Sequence, residues 1–180
     1  MVAAVAVAEA DATAEAEDRS AAPALVEVRA QTLLIGIVRL VLAAAGLGAA
    51  VAVGPRAGAA AALFAAGALV VLVAVMSGRR GRLVWLRLEQ AEPDAGEARV
   101  EPLRMAVARA AYPSTIGLTV LIAMSLVLKP SLAALLAGIL GGIGGSAVGF
   151  ALQLGAWERH RGATVLVEPG KGGRIFEAPR

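Results

Sequence analysis

Cysteine is absent from this 180-residue chain, and histidine occurs once, at His160. Without cysteine there is no disulfide framework, no thiolate nucleophile and no thiolate metal site. With one histidine, a multi-histidine metal centre within one chain is excluded as well. Charged residues make up only 17% and aromatics 3%, whereas soluble domains carry about 25% charged residues. Lysine occurs only at Lys129 and Lys171. The basic character (net charge +3) is therefore almost wholly arginine.

What fills the chain instead is apolar. Hydrophobic residues make up 58% and the mean hydropathy is +0.74. A small domain is mostly surface and cannot hide that excess in water. A helix crosses a bilayer core of about 30 Å with roughly 17–25 apolar residues, and four stretches qualify: 33–54, 58–77, 110–128 and 132–157. None contains Asp, Glu, Lys or His, and Arg39 is the one charge inside any of them. The sequence thus predicts an all-α integral membrane protein, a four-span helical bundle.

The first two spans are separated by Pro55-Arg56-Ala57 and the last two by Lys129-Pro130-Ser131. Links this short make antiparallel neighbours, so the expectation is two helical hairpins. Between them runs a polar loop, 78–109, with seven Arg and five acidic residues. Orientation follows from Arg and Lys near the span ends. The two tips carry Arg56 and Lys129, while Arg29, Arg79, Arg80, Arg82, Arg87, Arg104, Arg109, Arg159 and Arg161 lie on the other side. Both termini and the loop are therefore expected in the cytoplasm. Heavy Ala and Arg usage suggests a high-GC bacterium, and hence its cytoplasmic membrane.

The ends read differently from the spans. Residues 1–22 read as a disordered acidic tail; a signal peptide is rejected because no basic region precedes the short apolar run. Pro23 reads as the opening of a short helix, ALVEVRAQT, leading into the first span. In the 158–180 tail, Val165 and Val167 alternate with Leu166 and Glu168, and PGKGG is a turn signal. A small β-hairpin or a flexible tail both fit. A helix from about 102 to 111 runs into the third span, with Pro113 as a bend point.

Three constellations stand out. Arg39 lies about 9 Å into the first span at 1.5 Å per residue. It either snorkels to the headgroups, or joins Thr115, Thr119 and Gln153 in an intramembrane polar cluster, or meets an anion. The fourth span carries GxxxG pairs among Gly138, Gly141, Gly142, Gly145 and Gly149, a close-packing groove within the bundle or between protomers; an Ala- and Gly-biased composition is the plain alternative. The segment Arg79, Arg80, Arg82, Trp85 and Arg87 reads as a basic amphipathic stretch on the anionic cytoplasmic leaflet. Nucleic acid is not expected as a partner, since no aromatic platform accompanies these arginines.

No catalytic, cofactor or metal residues are nominated. Ser114, Ser125 and Ser146 have no neighbouring base in sequence to activate them, and His160 reads as an interfacial residue. The lack of a carboxylate in any span removes the usual proton relay of pumps. The sequence points to a non-enzymatic structural, accessory or scaffold subunit, self-associating or bound to another membrane protein. The rival reading is a small oligomeric channel or transporter with a polar cytoplasmic vestibule around Arg39.

Overall fold

The fold is known from a computed structural model, which describes residues 24–54, 56–78, 91, 99–100, 102–168 and 174–179. In chain order the elements are β1 (Ala24–Glu27), α1 (Val28–Val53), α2 (Ala57–Ser77), β2 (Arg99–Val100), α3 (Leu103–Leu128), α4 (Pro130–Arg161), β3 (Ala163–Val167) and β4 (Ile175–Pro179). The chain is mostly helical. Three helices, α1, α2 and α4, are long and apolar enough to cross a membrane, and α3 contributes the apolar stretch Ser114–Leu128. The acidic tail and the basic loop segment lie outside the described residues.

The helices run longer than the apolar stretches that predict them. α1 begins at Val28 and α4 continues to Arg161, a turn or more beyond each expected span. α4 has Pro130 in its first turn, where a missing N–H costs nothing. It ends on Gly162 at φ +67°, a left-handed cap that glycine adopts without strain. Arg159, His160 and Arg161 in its last turn face the negative end of the helix dipole.

Packing departs from the expected pair of hairpins. α4 is the central helix: it packs chiefly on α1 and α2 and also touches α3. α1 and α2, though joined by a short link, make far less contact with each other than either makes with α4. The reason is glycine. A Cβ at Gly138 would collide with the Phe64 carbonyl, and one at Gly67 with the Leu135 carbonyl. Backbone therefore lies on backbone between α2 and α4, a closer approach than the α1–α2 pair achieves. The buried core is correspondingly small in side-chain volume: Ala43, Ala50, Ala133, Ala134 and Ala137 with Leu140 and Ile122. Packing of this kind relies on many short van der Waals contacts rather than on bulky apolar residues. Outward, α2 exposes Leu69, Val70, Leu72, Val73, Val75 and Met76, an apolar surface far larger than soluble monomers show.

The fold is not purely helical. Four short strands form one sheet in the order β2-β1-β3-β4. β1 runs parallel to β2, pairing Ala24 with Arg99, and antiparallel to β3, pairing Val26 with Val167. β3 and β4 form the antiparallel hairpin, from Ala163–Pro179 to Val167–Ile175. Residues 24–27 are thus strand, not the start of a helix as expected from Pro23. Three apolar residues and a glutamate carry no decisive periodicity, and partners on both sides settle the matter. Val165 seats one face of the sheet on Leu154 of α4, with Val28, Phe150, Trp157 and Ile175 around them. Leu166 joins Leu25 and Phe176 in a second apolar cluster.

Candidate functional site

Arg39 sits where α1, α3 and α4 meet. The base of its side chain is pinned by α4: a Cβ on Gly144 would lie 3.0 Å from the Arg39 Cβ. Its guanidinium turns to α3, where Nε donates to Thr115 Oγ1 at 2.9 Å and Nη2 donates to Ser114 Oγ at 2.9 Å. Thr115 is buried. Thr119, one turn deeper, donates its hydroxyl to the Thr115 carbonyl at 2.7 Å and does not bond Arg39. Of the four residues nominated for a polar cluster, two therefore meet directly, a third adjoins them, and Ser114 joins in addition.

Gln153 is exposed and takes no part in these bonds. The register explains this. Gly144 lies against Arg39 and Gly155 against Arg29, so antiparallel α4 puts Gln153 about 13 Å along the axis from the Arg39 level. Counting depth back from Trp157 misplaced it, because α4 does not end there but runs to Arg161.

The five nominated glycines also divide. Gly138 and Gly142 face α2, where Cβ atoms would meet the Phe64 carbonyl and, at 2.8 Å, Val71. Gly141 faces the Phe64 ring at 3.1 Å and Ala43 of α1 at 3.4 Å. Gly144, not among the five, is the close crossing with α1: its Cβ would lie 2.9 Å from the Gly36 carbonyl. Gly145 and Gly149 have open space before them. The Gly141-Gly145-Gly149 row is therefore not one groove but turns from a packed face to a free one.

A constellation that the sequence reasoning missed ties the sheet to the bundle. Glu158 in the last turn of α4 is fully buried. Its Oε1 accepts the backbone N–H of Val165 at 3.1 Å, and its Oε2 lies 3.7 Å from Arg29 Nη1 at the start of α1. Gly155, on the same face of α4, makes room for the arginine: a Cβ there would be 2.6 Å from Arg29 Nε. One turn on, Arg161 stacks over the Trp157 ring at 5.1 Å and reaches Glu177 of β4 at 3.9 Å. A signal for Glu158 did exist in the sequence. An acid in the final turn of a helix opposes the dipole, so its presence within WERHR called for a partner.

Among the described residues, open cavities flank the bundle at two places. One, of about 410 Å³, lies between α1 and α3 and has almost wholly apolar walls, with Thr115 and Thr119 along one side. The other, of about 310 Å³, lies at the opposite end among Gly54, Arg56, Ala60 and Pro130. No protein-family profile, curated protein or solved structure matches the chain.

Proposed function

We propose that the chain is a multi-pass protein of the bacterial cytoplasmic membrane, non-enzymatic, acting as a structural, accessory or scaffold subunit. The observation that carries the reading is the sheet. Strands from before α1, before α3 and after α4 converge on one end of an apolar bundle, and Glu158 and Arg161 fasten them there. An apolar bundle with a firmly seated sheet at one end suits a protein that holds a partner at the membrane surface. The arginine bias puts this sheet, and both termini, in the cytoplasm. The lipid partner is the anionic cytoplasmic leaflet. The open faces of Gly145 and Gly149 leave the fourth span able to meet a second copy or another membrane protein.

The channel or transporter reading draws on Arg39, Ser114, Thr115 and Thr119, which gather on one side of the bundle. Backbone contacts at Gly67, Gly138 and Gly144 close the interior of one protomer, so a lumen would have to form between protomers.

The absence of cysteine makes topology directly measurable. In intact cells, an impermeant maleimide is expected to label Ser131→Cys at the tip. It is expected to label Arg174→Cys, beside β4, only after permeabilisation. The reverse pattern overturns the orientation. Mild-detergent purification from native membranes is expected to yield a stoichiometric partner, or a homo-oligomer, that Glu158→Ala weakens. Ion flux from the reconstituted chain alone, abolished by Arg39→Ala, would transfer the assignment to the channel.

A further inference from the structure

Arg39 is a cation with donors to spare. A guanidinium offers five N–H groups, and the two bonds to Thr115 and Ser114 use one each from Nε and Nη2. Among the described residues the ion pairs are Arg29–Glu158 and Arg161–Glu177, neither of which involves Arg39. The spans supply no carboxylate at all. A partly buried cation in an apolar setting is costly without a counter-ion, and among the described residues no carboxylate pairs with it, so its charge calls for an anion.

The 410 Å³ groove adjoins this cation. Thr115 accepts the Arg39 hydrogen bond and also lines the groove, whose deeper walls are Val38, Leu42, Ile116, Thr119 and Val120. It extends about 18 Å along α3 from Ala108 to Val120, and the part deeper than the cation, from Thr115 to Val120, is about 8 Å, room for the first carbons of an acyl chain. The side chain is already held at its base by Gly144 and at its guanidinium by the two hydroxyls, so little further side-chain entropy is lost when it binds.

From this juxtaposition we infer that the groove between α1 and α3 is a binding site for an anionic phospholipid. The phosphodiester lies on Arg39 and the Ser114 hydroxyl, and one acyl chain lies along Val38, Leu42, Ile116 and Val120. The charge selects the lipid class. A phosphatidylcholine phosphate is already neutralised by its own ammonium, whereas a phosphatidylglycerol phosphate is not. The inference rests on the membrane reading above and goes beyond it by naming a site and an occupant.

The test reconstitutes the full chain into vesicles of equal phosphatidylglycerol and phosphatidylcholine. A trace of either lipid carries a photoreactive diazirine on its acyl chain, and adducts are mapped by mass spectrometry. The phosphatidylglycerol probe is expected to label the α1 and α3 groove peptides about fivefold more than the phosphatidylcholine probe, the preference that ~1 kcal/mol per basic group toward anionic lipid implies. Arg39→Gln should bring the ratio to one, and Arg39→Lys should retain part of it. Ile116→Trp, which narrows the groove and leaves Arg39 unaltered, should cut labelling by both probes there. The exposed α2 residues Leu69 and Val73 are the reference, labelled equally by both lipids in every variant. Equal labelling of the groove by the two probes overturns the inference, as does a ratio unchanged by Arg39→Gln. Protection of the groove by a second copy or another helix, detected as a protein–protein cross-link, overturns it too. Absence of labelling on α2 as well refutes the membrane reading itself.

Discussion

Replacing Glu158 by alanine should release the sheet while leaving the bundle intact. The carboxylate's contacts with Val165 and Arg29 are unequal. The bond from the Val165 N–H is buried on both sides, and a hydrogen bond to a charged group contributes roughly 1.5–3 kcal/mol. The Arg29 contact is longer, at 3.7 Å, and the arginine side chain is 31% exposed, so solvent screening leaves it little. Truncation removes the acceptor and strands the Val165 N–H against Leu154, so the loss lies toward the upper end, about 3 kcal/mol. That corresponds to roughly a hundredfold increase in local opening. Hydrogen exchange read by mass spectrometry in detergent micelles would detect it: amides of β3 and β4 lose about two decades of protection, while those between Ala133 and Leu140 of α4 keep theirs. Glu158→Gln preserves an acceptor oxygen for Val165 and should lose less than tenfold. Strand protection within threefold of native in Glu158→Ala would refute the reasoning, as would a loss spread evenly over all helices.

The remaining expectations concern the glycines. Gly138→Ala forces α2 off the Phe64 carbonyl and should destabilise by about 1–3 kcal/mol, whereas Gly145→Ala faces open space and should be neutral or gain up to ~1 kcal/mol of helix propensity; denaturant titration followed by helical circular dichroism compares them. Gly155→Ala displaces only the flexible end of Arg29, so it should cost under about 1 kcal/mol. Adding Arg29→Ala to it should cost nothing more by the same measurement, because the ion pair is already lost.

The helices were legible because apolar length is a strong, local signal. All four elements were found within a turn or so at each end, apart from the extension of α4 to Arg161 and the earlier start of α1; the start of α3 at Leu103 agrees with the helix expected from about 102. What sits beside what was not legible. Loop length suggested that α1 and α2 would be partners, yet the decisive contact is Gly67 of α2 against Gly138 of α4, which depends on rotation of each helix about its axis. The sheet was half legible: β3 and β4 announce themselves by alternation and a turn, but β1 is four residues whose conformation is fixed by partners 75 and 140 positions away. At the candidate site, Arg39 stood out as the lone intramembrane charge, and Thr115 was found from depth alone. Gln153 failed on the same argument, because depth was counted from Trp157 and α4 runs on to Arg161. Glu158 was passed over among its basic neighbours.

The pairing of β1 with β3 has a consequence for how the chain is made. β1 leaves the ribosome before any span is complete, but its antiparallel partner follows the last one. At typical synthesis rates the interval is about ten to thirty seconds. Through that time Leu25 and Val26 wait without their neighbours. The sheet therefore reports on completion: only a chain whose fourth helix is already in register with the first can close it. Exposure of Leu25 and Val26 would thus distinguish finished molecules from arrested ones.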